Sequence, residues 1–336
     1  MTTETSIDMS AEQDYIESLK THKLTMESVS AQMQIGFIGL GEQAGNITDS
    51  IFAGQHILLE GEPGVGKSEL VKNIGQVITA GEATPFRVVS RLQGASDKQP
   101  ADFIGAEVFN QQLQVFETRK GPIFGHFVFA DELNRNNTKT QAALNEAMAE
   151  GQVTIGTESL LLPDPFMVIA TQNENEFGQG TQPVSDALLD RFGASSYFGS
   201  PSQKQREQVG LAYSNGQYLE EPRQVMKIAD LKRMQQVVRS VPVDQKAIEW
   251  LAGSIEHIAS AKGIEMASRG HRGMQATIRM AQAHALRTGN AAVTREHFAK
   301  VLPITYSHRI KSVGNETNHA SKLQVIEDAV KAKRAA

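Results

Sequence analysis

From about residue 26 to residue 200, short apolar runs alternate with stretches whose apolar positions recur at helical spacing. The runs are 55–61 (QHILLEG), 86–90 (FRVVS), 126–131 (HFVFAD), 166–171 (FMVIAT) and a short 196–198. The middle three are almost continuously apolar, as strands covered on both faces must be. Strands and helices in alternation predict a parallel sheet with helices on either side. A polar stretch with Gly and Pro, 201–223, reads as a linker.

Beyond it the period becomes helical. Ile248, Leu251, Ile255 and Ile258 form an amphipathic stripe. A second helix is expected over 274–286, ended by Gly289-Asn290, and a third over 295–301, preceded by Thr294 and stopped by Pro303. The Ala/Lys-rich 322–334 also predicts a helix. The first 25 residues are polar and lack a sustained period, which predicts a flexible N-terminal segment. The expected division is therefore that segment (1–25), an α/β domain (26–200), the linker (201–223), a small helical domain (224–310) and a helical tail (311–336).

Composition narrows the function. The 336 residues carry 33 basic and 38 acidic side chains, a net charge of −5, so no global cationic field recruits nucleic acid or anionic lipid. No apolar run approaches the ~18 residues that span a bilayer, and the acidic, polar start is unlike a signal peptide. The absence of cysteine excludes disulfides, thiolate metal sites and cysteine nucleophiles, and suits a cytoplasmic protein. The nine histidines form no cluster with metal-ligand spacing.

One motif carries chemistry outright. Gly61-Glu62-Pro63-Gly64-Val65-Gly66-Lys67-Ser68, with Glu69 following, matches G-x-x-x-x-G-K-[ST] in full, with a strand before it and helix-forming residues after. Its glycines let successive N–H groups turn inward on a phosphate, and the following helix adds its positive end. Lys67 suits the β/γ-phosphates, and the Ser68 hydroxyl suits Mg²⁺. Just upstream, Gly39-Leu40-Gly41 with Ala44 approaches the dinucleotide fingerprint, with Glu60 at the distance of its ribose acid. Glu60 directly precedes the phosphate loop, so that reading would give one strand two nucleotide sites. Residues 39–45 are read instead as a tight turn near the base of the nucleotide.

The apolar strand 126–131 delivers Asp131 and Glu132 at its C-terminal end, where open α/β sheets bind ligands. Alone, two acids there would suit an ordinary helix start. After a phosphate loop, Asp131 becomes the candidate Mg²⁺ holder and Glu132 the group that polarises the attacking water.

The run Asp131-Glu132-Leu133-Asn134-Arg135, followed by 139–148 (KTQAALNEAM) and Gln152-Val153-Thr154, closely resembles the MoxR family of AAA+ ATPases. Gly121-Pro122-Ile123-Phe124, Ile169-Ala170-Thr171-Gln172-Asn173 and Leu189-Asp190-Arg191-Phe192 extend the likeness from about Gly54 to Phe192, and more weakly beyond. The resemblance implies an AAA+ P-loop core with strand order 5-1-4-3-2 and a C-terminal helical lid, with ATP and Mg²⁺ bound between them. It further implies a ring, usually a hexamer, with each site completed by a neighbour. Asn173 then matches sensor 1, and Arg191 the arginine finger supplied in trans. Arg272 matches sensor 2, although the proline that relatives carry there is absent and Arg269 is close by. By the same likeness the ring is expected to remodel, assemble or activate a client protein, and family analogy alone suggests one with a von Willebrand factor A-like domain.

Two segments read as hairpins inserted in the core. Residues 107–117 (EVFNQQLQVFE) carry two apolar runs around a polar centre, and 152–162 (QVTIGTESLLL) alternates around Gly156-Thr157. They are expected to touch the client near the pore. The alternative class is an ATP-driven nucleic-acid motor. Net acidity and the absence of basic–aromatic interleaving weigh against it. A further alternative is a scaffold that uses ATP only to assemble.

Overall fold

The apolar runs need cover on both faces, and they find it in a single parallel sheet. The computed structural model describes residues 9–81, 84–173, 181–216, 220–314 and 318–334. The sheet strands are β1 (Ile57–Gly61), β2 (Arg87–Gln93), β3 (Gly125–Asp131), β4 (Met167–Gln172) and β5 (Ala194–Phe198). Their order is β5-β1-β4-β3-β2, and every pairing is parallel. This is the doubly wound AAA+ α/β fold.

Successive residues of a strand face opposite sides of the sheet, and the core divides accordingly. Ile57, Leu59, Phe127, Phe129, Met167 and Ile169 pack on one side with α1 (Met9–Met33), α2 (Gly41–Ala53) and α3 (Lys67–Val77). Leu58, Val128, Ala130, Val168 and Ala170 pack on the other with Phe103 of α4 (Pro100–Ile104), Leu144 and Ala147 of α5 (Thr138–Glu150) and Leu188 of α6 (Asp186–Leu189). Each of the fully buried large side chains contributes roughly 1.5–3 kcal/mol.

The C-terminal part is helical. After α7 (Gln203–Ser214), the lid comprises α8 (Ile228–Ser240), α9 (Gln245–Ser260), α10 (His271–Arg287), α11 (Arg295–Tyr306) and α12 (His319–Arg334). A buried joint fixes α10 to α2. The Asp49 carboxylate, 1% exposed, accepts from Arg287 Nε at 2.6 Å and Nη2 at 2.8 Å, with His284 Nδ1 3.0 Å away. Bidentate geometry of this kind specifies orientation as well as attraction.

Several local expectations are corrected. Residues 9–25, expected to be flexible, form the first part of α1. Leu19 packs against the core while Met26, Val29 and Met33 are fully buried, a sparse apolar stripe carried by a well-anchored C-terminal half. The linker contains α7, whose first turn is closed by a reciprocal Ser202–Gln205 cap. The third lid helix does not stop before Pro303 but runs through it to Tyr306. Proline forfeits one helical hydrogen bond, while burial of Val301, Leu302, Thr305 and Tyr306 holds the last turn. The tail is not separate either. Ile310–Val313 pairs antiparallel with Ile264–Met266, and Ile326, Ala329 and Val330 of α12 lie in the same core as the lid helices. The turn expected over 39–45 ends at Leu40, because α2 begins at Gly41.

The two inserted hairpins form as expected, Gly105–Asn110 against Val115–Lys120 and Gln152–Ile155 against Glu158–Leu161. They touch: Thr118 Oγ1 donates to Glu158 at 3.3 Å. No described helix is long and apolar enough to cross a membrane.

Candidate nucleotide-binding site

The site begins where β1 ends. Gly61 has φ +130°, and a Cβ there would lie 2.1 Å from the Phe198 carbonyl oxygen, so the chain can leave the sheet here only as glycine. Gly64 (φ +77°) has open space around it, so its requirement is the left-handed backbone alone. The loop thus curls directly into the N-terminus of α3, whose unpaired N–H groups and dipole favour an anion. Phe37 and Leu40 press against Gly66 from outside. Lys67, only 7% exposed, donates from Nζ to Gly61 O at 2.6 Å, Glu62 O at 3.0 Å and Asn173 Oδ1 at 2.9 Å. Those bonds aim the ammonium across the loop mouth.

The ends of β3 and β4 complete this face. Asp131 Oδ1 accepts from Thr171 Oγ1 at 2.7 Å and from Ser68 Oγ at 3.3 Å, while Oδ2 is paired with Arg91 Nη2 at 2.5 Å. Glu132 sits at φ +53°, its N–H donating to Thr171 Oγ1 at 2.8 Å. Its Oε2 accepts from Gln93 Nε2 at 2.9 Å and lies 3.3 Å from Arg135 Nε. Lys67, Ser68, Glu69, Asp131, Glu132 and Asn173 line one cleft of about 340 Å³, together with Pro63, Gly64, Arg91 and Thr171.

Arg91, Gln93 and Thr171 were missed by sequence reasoning. The strand expected over 86–90 stops one residue short of Arg91. In the structure Arg91 and Gln93 stand two apart on β2, in register with Phe129 and Asp131. The available signal was spacing: polar residues at every second position, facing the end of an acid-bearing strand.

Arg191 and Arg272 lie elsewhere. Gly193 leads into β5, which begins at Ala194 beside the start of β1, with Ile57 in register with Ala194. That is the opposite end of β1 from the phosphate loop, roughly 15 Å away along five residues at about 3.3 Å each. Arg191 Nε donates to Asn145 Oδ1 at 3.3 Å, and Arg272 Nη1 to Asp190 Oδ2 at 2.7 Å. With His56 and Arg279 they line a second cleft of about 450 Å³. Arg269 instead borders a small hollow beside Ile255 and Tyr306. Within one chain, the structure therefore brings the loop and the two acids together with Asn173, and does not bring Arg191 or Arg272 to them. Arg272, matched to sensor 2 by resemblance, thus lies in the second cleft and not beside Lys67.

The second cleft is strongly cationic. His56 accepts the Val168 N–H on Nδ1 at 2.9 Å, and burial lowers its pKa to about 4, so it stays neutral at physiological pH. The guanidinium groups supply the charge. Burial, and then the neighbouring Arg239, depress the pKa of Arg279.

The donors at the first cleft suit a hydrated Mg²⁺ shared with phosphate: one hydroxyl and one carboxylate 3.3 Å apart, oxygen ligands only. Among the described residues no cluster of three or more His, Cys, Asp or Glu offers another metal site.

A glycine-cradled phosphate loop, an acid pair at the end of β3 and a helical lid define a P-loop nucleotide-binding protein of AAA+ architecture. Comparison with known proteins agrees. The profile of the ATPase family associated with various cellular activities (AAA) matches residues 56–194, and that of the AAA lid domain matches residues 256–329. YeaC of Bacillus subtilis, itself uncharacterized, is 34% identical over 261 residues, covering 78% of this chain and 79% of that protein. Chaperone MoxR1 of Mycobacterium tuberculosis is 30% identical, covering 70% of this chain and 60% of its own length. The crystal structure of a candidate ATPase from Cytophaga hutchinsonii superposes with a TM-score of 0.81 at 25% identity, over 96% of this chain and 98% of that one. The chain belongs to the MoxR family of AAA+ ATPases.

Proposed function

We propose that the protein hydrolyses ATP at sites shared between neighbouring subunits of a hexameric ring, and uses the cycle to remodel, assemble or activate a client protein. The observation that carries this reading is the separation just described. The loop with its acids sits at one end of β1 and the arginine cleft at the other, so the guanidinium of Arg191 or Arg272 can reach a triphosphate only from another copy.

In this reading the α3 N-terminus and Lys67 bind the β/γ-phosphates, and Asn173 orients the attacking water against the γ-phosphate. Glu132 accepts a proton from that water, its backbone held by Thr171 and its carboxylate by Gln93. Ser68 and Asp131 would hold Mg²⁺, which when bound supplies charge neutralisation between the phosphates. Arg191 and Arg272 of a neighbour meet the charge that develops on the transferred group. A family likeness alone points to a client with a von Willebrand factor A-like domain.

The two hairpins support a client surface. Phe109 and Phe116 pair across the first at 5.2 Å yet remain exposed, and Leu161 on the second is 74% exposed. Exposed apolar side chains clustered on projecting loops mark interaction sites.

The test mixes two variants, each inactive alone: Lys67→Ala, with a dead loop and a good finger, and Arg191→Ala, with the reverse. Phosphate release returning on mixing supports the shared site; no return at any ratio, with assembly intact, refutes it. Deleting residues 108–115 should then leave basal hydrolysis within about twofold while abolishing capture of client by an ATP-locked ring. Equal loss of both functions in a folded protein would sink the client role.

A further inference from the structure

Arg309 is 1% exposed, in the turn Ser307–Arg309 that follows α11. A guanidinium at that depth is costly unless its N–H groups are met, so its partners show what it holds. Nη2 donates to Phe192 O at 2.9 Å and Asp190 O at 3.2 Å. Nε points to Asp190 Oδ1 at 3.5 Å, and Nη1 donates to Thr305 O. Two of these acceptors are the carbonyls immediately before and after Arg191.

The segment they belong to cannot hold itself. Helix α6 has four residues, Asp186–Leu189, and its closing turn places the 190–192 N–H groups inward on Asp186, Leu188 and Leu189. The carbonyls beyond a helix end have no intrahelical donor. Arg309 supplies one from the lid. The remaining Asp190 oxygen, Oδ2, takes Arg272 Nη1 at 2.7 Å. One carboxylate therefore ties a buried arginine to an exposed one, on either side of the peptide that carries Arg191.

We infer that Arg309 is a positioning residue: by clamping the backbone on both sides of Arg191 to the lid, it sets the direction in which that guanidinium, with Arg272, leaves the subunit toward a neighbour's triphosphate. The inference rests on the proposed role of Arg191. It also makes the finger answer to the placement of its own subunit's lid.

The experiment compares Arg309→Lys, Arg309→Met and Arg191→Ala in the full chain, reading kcat, KM for ATP, binding of a non-hydrolysable ATP analogue, and Tm. A lysine keeps the charge but cannot bridge two carbonyls and a carboxylate. Both Arg309 variants should lose about 10- to 100-fold in kcat, the effect of a misplaced catalytic group. KM and analogue binding should stay unchanged, because the phosphate loop is at the far end of β1. Arg309→Lys mixed with Lys67→Ala should recover turnover, and Arg191→Ala/Arg309→Lys should be no slower than Arg191→Ala. Unchanged kcat in Arg309→Lys overturns the inference. So does a double variant slower by the product of the single effects, or weakened analogue binding with a lowered Tm, which would mark a merely structural role. If neither Arg309 variant folds, Asp190→Asn decides, with lower kcat at unchanged KM expected and normal kcat overturning. Normal turnover in Arg191→Ala would instead sink the shared-site reading, whereas a slow Arg191→Ala beside a normal Arg309→Lys sinks this inference alone.

Discussion

The two ends of β1 are built on different principles. At its C-terminal end the anion-binding groups belong mostly to the backbone: a glycine turn, the start of α3, and strand ends that deliver Asp131, Glu132 and Asn173 to one cleft. At its N-terminal end the charge is carried by long side chains, Arg191, Arg272 and Arg279, held by Asn145, Asp190 and the lid. The first is a rigid cradle. The second is a set of projecting cations whose aim depends on other elements. Both ends favour an anion, so the head-to-tail ring proposed above needs a triphosphate in the cradle to make one end complementary to the other.

The comparison breaks most sharply at Lys67. Its ammonium sits at the centre of the loop, bonded to Gly61, Glu62 and Asn173. Lys67→Ala should weaken ATP binding by at least about 100-fold, the scale of removing a close, desolvated charge, as read by titration with a fluorescent nucleotide. Binding within threefold of the original would show that the cradle does not grip phosphate. Arg191→Ala should bind ATP normally yet hydrolyse it on the order of 10³-fold more slowly, as loss of an arginine finger does. Glu132→Gln keeps shape and most hydrogen bonding but cannot accept a proton, so single-turnover hydrolysis should fall by about 10²-fold or more with ATP still bound. Ordinary turnover there would reassign the base.

The same contrast explains what the sequence could show. The cradle was legible because each part is local: a motif with fixed spacing, set between a strand and a helix whose apolar periods are strong. β1, β3 and β4 are buried on both faces, and β3 and β4 read as almost continuous apolar runs. β2 is an edge strand with alternate residues exposed, so its polar half was lost, and with it Arg91 and Gln93. The arginine end was legible only by resemblance, and only in part. Arg309 follows a helix that was expected to have stopped eight residues earlier, and an arginine there reads as solvated. Nothing short of the tertiary fold shows it meeting carbonyls 117 and 119 positions away. Arg272 and Arg269 could be separated only once α10 began at His271, three residues before its expected start, placing Arg272 beside Asp190.

Arg91 gives the finest test of the cradle, because it competes there. Its guanidinium holds Asp131 Oδ2 at 2.5 Å while remaining half exposed, with Phe129 packed beneath it at 5.9 Å. An ion pair with one partner in solvent contributes only about 0.2–1 kcal/mol. If Asp131 is the carboxylate that serves Mg²⁺, then metal binding must displace this pair or work beside its positive charge. Arg91→Leu removes both obstacles while keeping the stem over Phe129, so the Mg²⁺ concentration giving half-maximal hydrolysis should fall about two- to fivefold, that same energy expressed as a ratio. The shift should shrink in high salt, since the exposed partner is screened. A higher Mg²⁺ requirement would mean that Arg91 turns to the phosphates when nucleotide is bound, making it a ligand of the cradle rather than a competitor within it.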